Sequence, residues 1–443
     1  MSVPVHEHEF EDSLEPKHLN ARSDLVLRAG IMMLGSGTSG LRVREVMQAV
    51  AATVGLRDIS AQISFTDVVL TVRRRSTFRT QVSEIARPAV DAHRIDLLQR
   101  FGQTLPARAT VAEVSGRLDA IENQPKLYRA WLTVLLVALA CASVTVLGNG
   151  GPREVAAVLP ASGLAYAAHR VWQRLDLNHL ASVATTAALA TGLYVGFTRI
   201  IDLAFAAPSP RLAAGFICAA IFLIPGFPLV TAGLDLARVD METGVPRLAY
   251  ALMVLLSITI GVWLVATASG ISPDAVPTLT GAWVWPAWMV ASWCAVFGWA
   301  VMFNAPWQAA VASGVCAALG NVPRLLLIEF GVKPYIATFI GCFLMGLLCA
   351  VAARAFDLNK IIMTVPTVLV SIPGAPLLRT LLYFDKADIV SAMTQGVSTI
   401  LAVISLVAGL AAARMLTDPE WTFTRPWRPG ERLSHRLFGR PDA

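Results

Sequence analysis

Leu223-Ile-Pro-Gly-Phe-Pro-Leu229 and Ser371-Ile-Pro-Gly-Ala-Pro-Leu377 share a Pro-Gly-x-Pro core, and each lies inside an apolar run long enough to cross a membrane. Such a cluster cannot continue an α-helix: the prolines lack a backbone donor, and glycine carries a conformational freedom that a helix must remove. At membrane depth, freed backbone groups are tolerated only where they are buried in protein or line a polar cavity. Two breaks at matching places in two halves of a chain mark the substrate site of a transporter. The residues flanking them, Pro225, Gly226 and Phe227 with Pro373, Gly374 and Ala375, are therefore the first candidate binding residues.

Composition agrees with an integral membrane protein. Of 443 residues, 55% are hydrophobic and 15% charged, and the mean hydropathy is +0.60. Soluble domains carry about 25% charged residues. The net charge of +6 is explained by basic residues flanking spans, and nucleic acid is not an expected partner. All six cysteines lie in apolar runs and read as packing residues; no disulfide framework, metal site or organic cofactor is expected.

Residues 1–22 read as a polar, disordered tail without the apolar core of a signal peptide, which keeps the N-terminus in the cytoplasm. His6-Glu7-His8-Glu9 alternates metal-binding types, but on such a tail it makes a weak ligand set. Residues 23–128 read as an α+β domain. Helices are expected around Leu25–Leu34 and Leu41–Val54, with a hairpin from Ile59–Phe65 and Val68–Arg74. Two more helices follow, near Ala89–Phe101 and Thr110–Asn123. Gly35-Ser-Gly-Thr-Ser-Gly40 resembles a phosphate loop, yet it lacks the Gly-Lys-Ser/Thr ending and reads as a helix-linking turn. His93 beside Asp91 and Asp96 is the one cluster that a hydrolase could use, and no nucleophile is marked near it.

About ten spans follow, of about 20 residues each. The fourth and ninth carry the breaks, and five-helix halves are expected at 129–270 and 271–416, with a basic tail at 417–443. Lys126, Arg129, Arg170, Arg174, Arg238, Arg247, Arg354, Lys360 and Arg414 fall on one side, placing both termini in the cytoplasm. The two Ile-Pro-Gly motifs run on in register to Arg238-Val-Asp240 and Lys386-Ala-Asp388. Because five is odd, the second half enters from the opposite side, and the halves become inverted repeats. Each break starts a half-helix whose positive end suits a carboxylate.

Asp235, in an apolar span, is a candidate substrate-ammonium or proton partner, weighed against an ion pair with Arg238. Asp240 and Asp388 join it as candidate proton-coupling groups. Arg379 follows the second break and has no twin in the first, where Thr231 stands. Asn321, just before Val322-Pro323-Arg324, is a further candidate at a third expected break.

Gly35-Ser-Gly-Thr-Ser-Gly-Leu-Arg-Val-Arg-Glu-Val-Met47, Ile224-Pro-Gly-Phe-Pro-Leu-Val-Thr-Ala-Gly-Leu-Asp-Leu236, Asp240 and Gly244 resemble the threonine/serine exporter family of bacterial inner-membrane proteins. Ile372-Pro-Gly-Ala-Pro-Leu377 is similar to the family's second membrane portion, so the resemblance runs from about residue 23 to 416. It implies a secondary exporter of L-threonine and L-serine driven by the protonmotive force, with protons and membrane lipid as further partners. A homo-oligomer is compatible with it. The rival readings are a membrane-anchored hydrolase and a passive small-solute channel.

Overall fold

The computed structural model describes residues 16–74, 77–85, 88–205, 213–270 and 283–422. His6–Glu9, the expected metal-binding tail, and most of the basic tail lie outside the described residues.

The N-terminal part builds four helices, α1 (Pro16–Gly35), α2 (Gly40–Thr53), α3 (Ala92–Gln103) and α4 (Val111–Glu122), around strands β1 (Asp58–Ile63), β2 (Asp67–Arg74) and β3 (Thr77–Glu84). The strands form one antiparallel sheet in the order β1-β2-β3. Val43, Met47 and Val50 of α2 share one face and are buried with Met33, Ile63, Leu70 and Leu98 in one core.

Two expectations change here, and the helix-linking turn is found where the sequence placed it. α1 begins at Pro16, inside the segment expected to be disordered, because Leu19 and Arg22 are buried against the core. The third strand was not legible, since Thr77–Glu84 is an edge strand whose apolar residues Phe78 and Val82 are 70% and 60% exposed. The glycine-rich segment is a turn in which Gly37 takes φ +92°, and a Cβ there would stand 2.6 Å from the Ala89 carbonyl oxygen.

The rest is a polytopic helical membrane protein. The helices are α5 (Ala130–Leu147), α6 (Pro152–Arg174), α7 (His179–Phe205), α8 (Ala213–Cys218), α9 (Gly226–Ala237), α10 (Met241–Ser269), α11 (Val284–Met302), α12 (Trp307–Glu329), α13 (Pro334–Ala355), α14 (Lys360–Leu369), α15 (Gly374–Asp385), α16 (Ile389–Thr417) and the short α17 (Pro419–Thr422). Among the described residues, seven (α5, α7, α10–α13 and α16) are long and apolar enough to cross a membrane. The pair Ala214–Leu223 and Gly226–Ala237, bent by 70°, makes an eighth crossing if it is one span. Leu252, Leu256, Ile260 and Leu264 of α10 are all at least half exposed, as a lipid-facing stripe requires. α12 runs unbroken through Pro323, so the third expected break is absent.

Corresponding turns recur along the membrane part. Asn149 after α5 and Asn304 after α11 both take φ 60°. α6 and α12 are each 23 residues long, α9 and α15 each 12, and α10 and α16 each 29. A Cβ on Gly261 of α10 would strike the Ala184 carbonyl of α7, and one on Gly409 of α16 would strike the Phe339 carbonyl of α13. Such close backbone crossings use small residues because lipid gives helices no hydrophobic reason to associate.

The N-terminal part rests on one end of this bundle. Ala92 donates its amide to the Phe303 carbonyl at 2.8 Å, Arg100 bonds the Asp357 carbonyl at 2.8 Å, and Asn359 bonds Gln99 at 2.8 Å. Gln62 bonds Glu242 at 3.3 Å and Arg354 bonds the Thr417 carbonyl at 2.7 Å, so the ends of α11, α13 and α16 and the starts of α10, α12 and α14 gather on the same side.

Candidate functional site

Both breaks adopt one local geometry. Pro225 has φ −75°, ψ 58° and Pro373 has φ −79°, ψ 61°, the inverse γ-turn. Gly226 donates to the Ile224 carbonyl at 2.7 Å and Gly374 to the Ile372 carbonyl at 2.8 Å, closing each turn. The two turns pack reciprocally: a Cβ on Gly226 would come within 3.1 Å of Ile372 Cδ1, and one on Gly374 within 3.1 Å of Ile224 Cδ1.

Few backbone donors are left over at the start of α9. Pro225 and Pro228 have none, Gly226 closes the γ-turn, and Leu229 donates to the Pro225 carbonyl at 2.9 Å. The Phe227 amide is the donor of that turn these bonds do not consume. Phe227 itself is buried and packs edge-on to Phe303 at 5.6 Å.

A cavity of about 310 Å³ opens beside the first break, lined by Pro225–Pro228 and Thr231 and by polar groups of three other spans. α6 contributes His169 and Gln173, α7 contributes His179, and α10 contributes Arg247 and Tyr250. Lys126 reaches it from ahead of α5, and Gly37, Phe65 and Ala89 of the N-terminal part cover it. Among the described residues its lining carries four basic side chains and no carboxylate. A volume near 300 Å³ belongs to the small end of ligand pockets. A larger cavity, about 700 Å³, lies between α3 and α12–α14, but Trp307, Val311, Val315 and Phe356 make it apolar and neither break reaches it.

Asp235 stands just behind the cavity. Its Oδ2 receives the Arg247 guanidinium at 2.8 Å and the Thr243 hydroxyl at 3.2 Å, and both charged side chains are almost wholly buried. The partner is thus Arg247, twelve residues on, rather than Arg238, whose guanidinium lies over the Trp421 ring at 5.1 Å. Arg247 also donates to the Thr38 carbonyl at 2.9 Å and lies over the Phe65 ring at 5.7 Å. One guanidinium therefore ties the broken span, α10 and the glycine-rich turn together.

The other sequence candidates are placed as follows. Asp240 caps α10, accepting from the Thr243 amide at 3.4 Å; Asp388 caps α16, accepting from the Ser391 amide at 3.1 Å. Asn321 is fully buried away from the cavity, bonding Ser292 at 2.9 Å and receiving Arg324 at 2.7 Å. Arg379 is half-buried, and its Nε has no hydrogen-bond partner among the described residues. Gly374 is buried at the second turn; the side chain of Ala375 is outside the described residues. Of the acids beside His93, Asp91 caps α3 and receives Asn304 at 2.8 Å, and Asp96 pairs with Arg100 at 3.1 Å.

The sequence reading missed His169, His179, Tyr250 and Lys126. They come from different stretches of the chain, and only the packing of α6, α7 and α10 around the break brings them together. The signal available was His169 itself, a titratable residue within an apolar stretch.

A helical membrane protein with a polar cavity at a broken span has the architecture of a transporter. The chain belongs to the threonine/serine exporter family: residues 24–268 match the family model described as "Putative threonine/serine exporter" and residues 288–416 the model described as "Threonine/Serine exporter, ThrE". It is 23% identical to the threonine/serine exporter of Corynebacterium glutamicum over 94% of this chain and 85% of that one. It is 22% identical to the probable threonine/serine exporter of Mycobacterium tuberculosis, over 92% of this chain and 78% of that one. It is also 24% identical to the probable succinate transporter subunit YjjP of Escherichia coli, over 58% of this chain and 98% of that one. No solved structure matches the chain.

Proposed function

We propose that the protein is a secondary exporter of small amino acids, L-threonine and L-serine foremost, in exchange for protons. The observation that carries this reading is the cavity at the first break, where unpaired helix-start geometry and basic side chains converge. The substrate carboxylate meets the Phe227 amide with the buried Arg247 and with Lys126, which is exposed at the cavity's edge. Pro225, Gly226 and Phe227 form the floor, and the second turn at Pro373 and Gly374 supports it through the reciprocal packing of the two turns. Asp235 acts through Arg247, and Asp240 and Asp388 hold the starts of α10 and α16. Asn321 and Arg379 serve the second half, away from the carboxylate.

The membrane part works as ten spans in two inverted five-helix halves, α5–α10 and α11–α16, with the fourth span of each broken. The matched turns, helix lengths and glycine crossings support that pairing. One half rocks against the other about the reciprocal turns, giving alternating access. The N-terminal part then sits on the cytoplasmic face of a bacterial inner membrane, on the side rich in Arg and Lys.

The test is transport by purified protein in liposomes with labelled L-threonine and an imposed pH gradient. Uphill threonine movement that collapses with a protonophore supports the reading; downhill flux that never concentrates the solute would make the protein a channel. A second substrate class, a dicarboxylate, is favoured by one observation: the described cavity lining holds basic groups and no acid to meet an ammonium. Succinate flux exceeding threonine flux in the same liposomes would decide for it.

A further inference from the structure

His169 lines the cavity, lies in the C-terminal half of α6 and is only 7% exposed. Its Nδ1 is 3.0 Å from Thr186 Oγ1, and its Nε2 is 3.0 Å from Gln173 Nε2. The Thr186 hydroxyl spends its own proton on the Ser182 carbonyl at 2.6 Å, so towards the ring it can only accept. Nδ1 is therefore the protonated nitrogen, and Nε2 presents a lone pair to the Gln173 amide group. The tautomer follows from these neighbours.

This arrangement serves both protonation states. A half-turn of the Gln173 amide replaces its nitrogen with its oxygen, which accepts from a protonated Nε2. The ring gains a proton without leaving a buried donor unsatisfied, a loss that is otherwise costly. The titratable and charged groups that share its cavity are Tyr166 on its own helix, His179 from α7, Arg247 and Tyr250 from α10, and Lys126. Asp235, by contrast, is already engaged by Arg247 and Thr243.

We propose that His169 carries the coupling proton, and that its Nε2 lone pair is the point at which proton and substrate exclude each other. The proposal rests on the amino-acid reading above. A neutral ring accepts an N–H from the substrate ammonium in place of Gln173; an imidazolium has no lone pair to offer and repels that ammonium. Once the amino acid has left on the far side, one N–H bond forms at Nε2 with a proton from that side's water. The same bond breaks to cytoplasmic water before the next substrate enters. Each cycle moves one zwitterion out and one proton in, and no group is oxidised or reduced.

Two measurements test this. In liposomes, His169→Gln lowers threonine counterflow, and the remaining flux neither varies with pH nor concentrates threonine against a pH gradient. Residual flux with the wild-type pH profile would overturn the proposal. Nitrogen NMR of ¹⁵N-histidine-labelled protein, with the His169 signal assigned by its loss in His169→Gln, reads the site without substrate turnover. The expected signal is an Nδ1–H tautomer that becomes doubly protonated as pH falls, and that added threonine returns towards neutral. An Nε2–H tautomer, or a ring that never titrates, sinks the proposal even if the variant is inactive. Wild-type protein that moves no threonine would remove the amino-acid substrate instead, leaving the titration to judge the proton site.

Discussion

Arg247 holds Asp235 at 2.8 Å within a site where both side chains are at most 5% exposed, and the same guanidinium reaches the Thr38 carbonyl at 2.9 Å. Buried ion pairs gain little over apolar packing, but removing one partner strands the other, at a cost of about 3–5 kcal/mol. Asp235→Asn and Arg247→Met should therefore each lower thermal stability in detergent sharply, whereas the double variant should recover most of it. Additive losses in the double variant would show that the two residues act independently. Arg247→Lys should fail to restore the site, because a lysine cannot bond Asp235 and Thr38 and cover the Phe65 ring at once.

The two kinds of glycine contact should respond differently to a single methyl group. At Gly226 the added Cβ meets Leu369 and Ile372 side-chain ends, which can move. At Gly261 it meets the Ala184 carbonyl oxygen, which cannot move without parting α7 from α10. Gly226→Ala should give folded protein at a cost of roughly 1–3 kcal/mol with slowed transport. Gly261→Ala should reduce the monodisperse fraction in gel filtration. Equal yields from both variants would contradict this contrast.

Asp388 should behave as a helix cap. Hydrogen bonds from the Ser391 side chain and amide hold its carboxyl below the usual carboxylate range. A depressed value means that the cap's stabilisation is present above the ordinary carboxylate pKa and is lost as pH falls through the lowered one. Asn accepts the same bond, so Asp388→Asn should keep wild-type transport and stability at neutral pH, and it should lose less than wild type on acidification. Asp388→Ala should unfold at lower temperature. Loss of pH-driven export in Asp388→Asn would assign this carboxyl to the proton path.

Much of this organisation was legible in the chain. Pro225-Gly226 and Pro373-Gly374 announce their own breaks because proline and glycine act locally, and the apolar stretches mark the helices between them. The glycine-rich turn was legible too, since Gly37 needs a positive φ. What failed depended on neighbours distant in sequence. Thr77–Glu84 shows no buried-strand pattern because its apolar side chains Phe78 and Val82 face outward from an edge strand. Pro323 reads as a break, yet α12 continues through it. Asp235 offered Arg238 as the nearest cation; the partner came from the next helix once the turn at Val239, with φ 63°, folded α10 back. His169 and Tyr250 are far apart in sequence, and no local rule joins them at one cavity wall.

The claim that the cavity at the first break holds the substrate is tested most directly by protection. Thr231 is buried, lines that cavity and is close in size to cysteine. In a background with the six native cysteines replaced, a Thr231→Cys variant would be alkylated in membranes by a small maleimide with and without L-threonine. The account predicts that L-threonine, and not D-threonine, slows the reaction in a saturable manner. An alkylation rate that L-threonine leaves unchanged, in a variant that still transports it, would place the substrate elsewhere.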